Sequence, residues 1–465
     1  MLFRSGRKLG DTATLGALLC SFVTKRSEST LKVCVVGSGP AGFYTTAQIL
    51  KQLGSTARVD ILDRLPTPFG LVRSGVAPDH PDTKNVINQY TQIGLDSRVS
   101  YFGNVTVGTD VQLSRLRRLY HAVVLAYGAE SNIQLKVPGE DLHGVYSARQ
   151  FVWWYNAHPD HRNLPIDLSK IRRVAIFGMG NVALDCARVL LQPPPRLGTT
   201  DIAEHALRQL RDSAVERVDI IGRRGPVQAS FTAKELRELL KLEGVRVVVD
   251  PDQLRVTETD EVEMKASRAK RRIFDIMKSS LDASSNTSGR QLHLHFLRTL
   301  KGIQGDEQGA VSSLQLERNE LRTAADGSQR PAGTGEMEHL PADLVLGSIG
   351  YRCNPLEGAP FDERRGIIPN RGGRVLQAGS SEPDPGLYVA GWVKRGPTGI
   401  IGTNLTDAQE TVAAILQDAQ SLSAPADDAP SLQQVLQESG VQAVSGAYDS
   451  SLVHNLQQKD RCPQP

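Results

Sequence analysis

Lys32-Val-Cys-Val-Val36, Gly37-Ser-Gly39-Pro-Ala-Gly42, the apolar-periodic run Phe43 to Leu53, and Ala57-Arg-Val-Asp-Ile-Leu62 ending at Asp63 decide the fold. The first run is short, apolar and β-branched, the pattern of a buried strand. It enters a glycine turn, the turn opens a helix, and a second strand follows that closes on an acid. Glycines here permit a tight turn, close approach of a pyrophosphate and close helix–strand packing. The helix N-terminus offers unpaired N–H groups to phosphate anions. A lone Gly-x-Gly-x-x-Gly is weak evidence, but flanking strands and an acid about twenty residues on make a complete dinucleotide-binding unit.

The arrangement occurs a second time with different chemistry. Arg173-Val-Ala-Ile-Phe177 is a strand, Gly178-Met-Gly-Asn-Val-Ala183 a glycine turn, and a helix runs on to Leu191. The next strand, Val218-Asp-Ile-Ile221, ends in Gly222-Arg223-Arg224 and not in an acid. An acid at that place receives a ribose 2′-hydroxyl, whereas guanidinium groups match a 2′-phosphate. The second unit is therefore expected to take NADPH over NADH. The bland alternative for both arginines is an ordinary solvated loop. Pro193-Pro-Pro195 and a helical stretch Ile202 to Leu210 lengthen the crossover of this unit.

Later, Asp343-Leu-Val-Leu346 and Gly386-Leu-Tyr-Val-Ala390 read as strands returning to the first domain, and Ile401 to Leu416 reads as a helix. The fold class expected is α/β, with two Rossmann-like nucleotide-binding domains, the first discontinuous and the second inserted in it. The boundaries are a leader at 1–30, the first domain at 31–136 and 339–420, the inserted domain at 137–338, and a tail at 421–465. Residues 280–290, rich in Ala, Ser, Asn and Gly, read as a flexible loop.

The leader is compositionally distinct. It holds Arg4, Arg7, Lys8, Lys25 and Arg26 against Asp11 and Glu28, and is rich in Ser and Thr, the composition of a mitochondrial presequence. Leu15 to Val23 could instead be a short secretory core, although no small-residue cleavage site follows it. The chain's net charge of +3 resides in this leader, so the remainder is near neutral and offers no general affinity for nucleic acid. No stretch nears the roughly 18 to 20 apolar residues that a membrane span requires, so any membrane association is at most peripheral. Cys20, Cys34, Cys186, Cys353 and Cys462 are scattered and never spaced as Cys-x-x-Cys. That pattern argues against a redox dithiol, a zinc ribbon or a cluster bound by this chain, and no metal ligand set is assigned.

Pro68-Phe-Gly-Leu-Val-Arg73, Gly75-Val-Ala-Pro-Asp-His-Pro81 and Lys84-Asn-Val-Ile-Asn88 closely resemble the mitochondrial adrenodoxin reductases, the NADPH:ferredoxin reductases. The resemblance covers residues 31 to about 420. It implies that the first fingerprint binds FAD, with Gly37, Gly39 and Ala41 at the pyrophosphate, Asp63 at the adenosine ribose, and Leu71 and Val107 touching the cofactor. Trp392, Gly399, Ile400 and Ile401 would close the FAD site from the far end of the chain, although a lone Trp is more often core. Met179, Gly180, Asn181, Val182, Arg223, Arg224, Glu235 and Gly399 would contact NADP. Asp63 stands where the family has Glu, Ser74 where it has Phe, and Met179 where it has Gln.

The resemblance further implies hydride transfer from NADPH to FAD, then single electrons to an acidic 2Fe-2S ferredoxin. That ferredoxin would supply mitochondrial haem-thiolate monooxygenases of steroid and sterol metabolism, and iron–sulfur assembly. Residue patterning adds a basic face, Lys234, Arg237 and Lys241, on an amphipathic helix over Phe231 to Leu242, and a second basic run at Arg268 to Arg272. Such faces are often merely solvated. His80 and Asp185 are the titratable residues expected nearest the flavin–nicotinamide contact, their bland alternatives being a cap on a Pro-rich turn and a helix acid. A monomer in the mitochondrion is expected, in the matrix or against the inner membrane. Two rival readings stand beside this one. They are an NADPH-dependent flavin enzyme acting directly on a small molecule, and a non-catalytic nucleotide-binding redox sensor.

Overall fold

The computed structural model describes residues 30–282 and 289–445. The leader to residue 29, with its targeting reading, and most of the loop expected at 280–290 lie outside the described residues.

In chain order the strands are β1 (Leu31–Val36), β2 (Ala57–Leu62), β3 (Val99–Gly103), β4 (Ala122–Leu125), β5 (Ser131–Asn132), β6 (Val145–Ser147) and β7 (Arg173–Phe177). There follow β8 (Arg217–Ile221), β9 (Val245–Val249), β10 (Arg290–His295), β11 (Arg298–Gly305), β12 (Val311–Thr323), β13 (Gln329–Pro341) and β14 (Leu344–Gly347). Last come β15 (Tyr351–Arg352), β16 (Asn370–Arg371), β17 (Arg374–Leu376), β18 (Pro383–Val389) and β19 (Val444–Ser445).

They form two large sheets. The first has the order β16-β17-β18-β4-β1-β2-β3-β19, parallel from β18 to β3. The second has the order β6-β14-β7-β8-β10-β9 and is parallel throughout. Parallel strands are covered on both faces and so read as continuous apolar runs. In β1, Val33 and Val35 join one core cluster, with Phe43 and Ile49 of the Pro40–Leu53 helix and Ala408 and Val412 of the Thr403–Asp418 helix. Cys34 and Val36 face a second cluster on the opposite side. In the second sheet, helices Ala148–Tyr155 and Asn181–Leu191 cover one face. The antiparallel β11–β12–β13 sheet covers part of the other through Ile303, Leu314 and Leu316.

The strand expected at Asp343–Leu346 does not return to the first sheet. As β14 it pairs with β7 and β6 in the second, Leu344 opposite Val174. An apolar run signals burial but not which sheet provides it. The chain returns one step later, through β15. That strand pairs antiparallel with β5, the outgoing crossing, Tyr351 opposite Asn132 and Arg352 opposite Ser131. Both crossings between the sheets are thus hydrogen-bonded to each other. Beyond residue 420, Leu432, Val435 and Leu436 of the Leu432–Glu438 helix enter the core, and β19 pairs with β3.

Candidate nucleotide sites and their junction

At the end of β1 the chain turns through Gly37, whose φ of 110° is in the left-handed region. A Cβ there would lie 2.5 Å from the Ala126 carbonyl oxygen, and one on Gly42 would lie 1.9 Å from that of Gly37. Gly39 is different, because a Cβ there meets nothing within 4 Å. Gly39 is also the N-cap of the Pro40–Leu53 helix and supplies no side-chain hydrogen bond to it. The turn is therefore compact beneath and open above, with helix N–H groups uncapped by any side chain, which fits a pyrophosphate.

Three further segments converge on this turn. Phe69 N–H donates to the Ser38 carbonyl at 3.0 Å, bringing Gly70 and Leu71 alongside Gly39. Gly391 packs so closely on Ala41 that a Cβ on it would stand 2.5 Å from the Ala41 Cβ. After it come Trp392, whose ring stacks on Tyr351 at 5.6 Å, then Gly399 and Ile401. Ile400 is 73% exposed, an apolar surface available for a ligand to cover. Val107 packs against the cluster beneath the first sheet.

Asp63 is engaged by the turn itself. Its Oδ2 accepts from the Ser38 N–H at 2.8 Å and the Ser38 hydroxyl at 2.5 Å, and its Oδ1 accepts from the Leu65 N–H at 2.9 Å. Burial raises its carboxyl pKa against these hydrogen bonds. The lock between Ser38 and Asp63 is not legible in sequence, since Ser38 occupies the variable place of the motif.

The second turn repeats the geometry. Gly178 has φ 128°, and a Cβ on it would lie 2.1 Å from the Ser348 carbonyl oxygen. Gly180 caps the Asn181–Leu191 helix without a side-chain hydrogen bond. Ser230 holds the turn from outside, its N–H and hydroxyl both donating to the Met179 carbonyl at 2.8 Å. Asn181 Oδ1 accepts from the Thr232 N–H at 2.8 Å, and Val182 packs against the adjoining core. The Met179 side chain lies over Gly222, beside the exposed Arg223 and Arg224. Neither arginine forms an ion pair among the described residues.

Between the two units lies a charged junction. Arg188, buried, donates to Asp79 through Nε at 2.5 Å and Nη2 at 3.0 Å, and to Asp185 through Nη2 at 2.6 Å. Its Nη1 reaches Glu235 at 3.3 Å. His80 Nε2 lies 2.8 Å from Glu238 Oε2 and 3.6 Å from Glu235 Oε2. Asp79 and His80 sit in the first unit, the others on the Asn181–Leu191 and Ala233–Leu240 helices of the second. Burial raises the Asp185 carboxyl, and burial followed by the Asp185 charge raises Glu235. For Asp79 burial is outweighed by Arg188, which holds it below the usual value. His80, Asp185 and Glu235 are thus brought together. Asp79, Arg188 and Glu238 are partners that sequence alone does not reveal, because the contacts they make cross between the units, Arg188 to Asp79 over 109 positions and Glu238 to His80 over 158.

On the basic helix, Lys234 and Lys241 are exposed and Arg237 is half-buried. Lys234 lies 3.8 Å from Glu238. The helix packs against Arg268–Asp282, which carries the second basic run. Cys34, Cys186 and Cys353 are free and buried. Among the described residues no helix is long and apolar enough to cross a membrane.

Residues 31–313 match the pyridine nucleotide-disulphide oxidoreductase family. A mitochondrial NADPH:adrenodoxin oxidoreductase of Arabidopsis thaliana is 50% identical over 410 residues, covering 86% of this chain and 85% of that protein. The Homo sapiens protein of the same name is 44% identical over 431 residues, covering 90% and 85%. The solved structure of Mycobacterium tuberculosis FprA in complex with NADPH superposes with a TM-score of 0.84 at 42% identity, over 90% of this chain and 92% of that one.

Proposed function

Because this chain belongs to the pyridine nucleotide-disulphide oxidoreductase family, and within it to the NADPH:adrenodoxin oxidoreductases, we propose that it carries electrons from NADPH to a 2Fe-2S ferredoxin in the mitochondrion. The observation that supports this best is the pairing of two glycine turns with opposite endings. One closes on Asp63 and the other on Arg223 and Arg224, and the two units that carry them touch at the His80–Glu238 contact.

FAD is held at the first turn, with Gly37, Gly39 and Ala41 at its pyrophosphate and Leu71, Val107, Trp392, Gly399, Ile400 and Ile401 around it. Asp63 acts on the adenosine ribose through an oxygen already oriented by the Leu65 N–H. Met179, Gly180, Asn181, Val182, Arg223, Arg224, Glu235 and Gly399 serve NADPH. When bound, the flavin accepts two electrons as hydride and releases them singly. The chain's own residues position one another: Arg188 pairs with Asp79 and Asp185, and Glu238 orients the His80 ring at Nε2.

The acidic partner docks at Lys234, Arg237 and Lys241, with Arg268 to Arg272 beside them. The protein works as a monomer in the matrix, at most peripherally associated with the inner membrane. The deciding experiment is NADPH-dependent cytochrome c reduction by the purified yellow protein with and without an added 2Fe-2S ferredoxin. Reduction that needs the ferredoxin supports the reading; full turnover of a small molecule without it supports a direct flavin enzyme instead.

A further inference from the structure

At the edge of the second sheet farthest from the Arg223-Arg224 turn lies a cavity of about 750 Å3. Ser131, Asn132, Ser147, Arg149, His161 and Gly347 contribute to its lining. Ser147 and Gly347 are the last residues of β6 and β14. The residue after Gly347, Ser348, is the one whose carbonyl oxygen presses on Gly178. Gly347 thus joins the lining of the cavity to the second glycine turn through the next residue in the chain. The cavity lies on the side of β7 opposite β8, where β14 and β6 follow. In open parallel sheets a dinucleotide crosses a crevice at the carboxyl ends of the strands, where the strand order reverses.

Arg149 is the unexplained residue of this cavity. It is only 9% exposed, yet its Nε has no hydrogen-bond partner. Its Nη1 reaches the Ala129 carbonyl only at 3.4 Å. The two carboxylates whose charge reaches it, Glu130 and Asp160, are taken by Arg64 at 2.7 and 2.9 Å. The guanidinium instead lies between aromatic faces, 4.5 Å from the Trp153 ring and 5.9 Å from that of Tyr351. Burial pulls its pKa below the ordinary value. A buried donor left unsatisfied is costly, and a guanidinium fork presents paired N–H groups that suit a phosphate. Trp153 and Tyr351 hold the fork without using its donors, so the side chain is fixed in place before any ligand arrives.

We propose that Arg149 receives the phosphate of the nicotinamide half of NADPH, opposite the end of the coenzyme that Arg223 and Arg224 receive. This rests on the coenzyme reading above. Arg149 is a binding and positioning residue: it fixes where the nicotinamide half lies relative to the junction of Asp185 and His80.

The test uses the FAD-loaded holoenzyme and three probes, titrated by calorimetry: NADP+, nicotinamide mononucleotide, and adenosine 2′,5′-bisphosphate, which lacks the nicotinamide half. In Arg149→Gln, NADP+ should bind about ten- to a hundredfold more weakly, the loss of a charged hydrogen-bonding partner. Nicotinamide mononucleotide should weaken by a similar factor, and adenosine 2′,5′-bisphosphate should bind as to wild type. Arg149→Lys should recover part of the NADP+ affinity, since a point charge replaces the fork. Unchanged NADP+ affinity in Arg149→Gln overturns the proposal, and so does an equal loss for adenosine 2′,5′-bisphosphate. A wild-type holoenzyme that bound the bisphosphate no better than adenosine 5′-phosphate would overturn the coenzyme reading itself.

Discussion

Asn319 donates its side-chain N–H to the Arg223 carbonyl at 2.8 Å, although 96 positions separate them. Asn319 is buried in β12 and also bonded to Thr299. The three-stranded antiparallel sheet therefore fixes the turn that presents both arginines. Replacing Arg223 or Arg224 with Ala should cost about 1 to 3 kcal/mol of NADPH binding and leave NADH nearly unaffected. Asn319→Ala should lower the same preference by a smaller factor, acting through the turn. The readout is kcat/KM for each coenzyme. An unchanged NADPH:NADH ratio in both arginine variants would sink the assignment.

Gly39 and Gly42 should separate folding from cofactor retention. A methyl on Gly42 collides with the Gly37 carbonyl at 1.9 Å, whereas one on Gly39 meets no protein atom within 4 Å. Gly42→Ala should therefore impair folding of the first unit. Gly39→Ala should fold, then lose flavin on dilution, because its methyl enters the space above the turn. Flavin absorbance after gel filtration, set beside circular dichroism, measures both. A Gly39→Ala protein that stays fully yellow would contradict the placement of the pyrophosphate.

Arg188→Met would strand two largely buried carboxylates, Asp79 and Asp185, and should cost about 3 to 5 kcal/mol of stability. The pH dependence of Asp79 follows from its depressed folded pKa. A depressed carboxyl stabilises the fold above its unfolded value of 3.8 and loses that contribution as pH falls below it. The stability gap between wild type and Asp79→Asn should thus be steady from about pH 5 upward and close in more acid solution. Urea midpoints measured between pH 3 and 7 would detect a gap that instead widens.

Arg237→Glu with Lys241→Glu should raise the ferredoxin KM and flatten its salt dependence. Rim charges steer association and are screened over about 8 to 10 Å near physiological ionic strength. NADPH-dependent ferricyanide reduction should change little in the same variant. If both ferredoxin KM and its salt response survive the reversal, the partner docks on another surface.

Residues 1 to 35 fused to a reporter should enter mitochondria and be cleaved near Arg26 to Leu31, given five basic residues against two acids in residues 1–30. Secretion of the reporter, or its diffuse cytosolic distribution, would overturn the presequence reading.

Both glycine turns and the acid-versus-arginine endings were legible because they are local: strand, turn and helix follow one another in the chain. The sheet that receives Leu344–Gly347 was not, since Leu-Val-Leu fits any buried parallel position. The junction was half legible. His80 and Asp185 stand out as titratable residues in their motifs. Arg188 and Glu238 look like ordinary helix charges until the fold places them against Asp79 and His80. Ser230 and Asn319 carry no signal at all, because their role is to hold backbone carbonyls of distant turns.

The position of β18 sets an order of assembly during synthesis. β4 is wholly buried at Ala122–Leu125, and its outer edge is closed only by Leu387–Val389, which emerge from the ribosome after the entire second sheet. The inserted unit, spanning β6 to β14, has all its strands in hand once Gly347 is made and can close by itself. The first unit meanwhile waits with an apolar strand edge open, the kind of surface that pairs wrongly with other chains. The unit that begins first along the chain is thus the last to have all its strands, and its β4 edge stands unpaired while residues 126 to 386 are made.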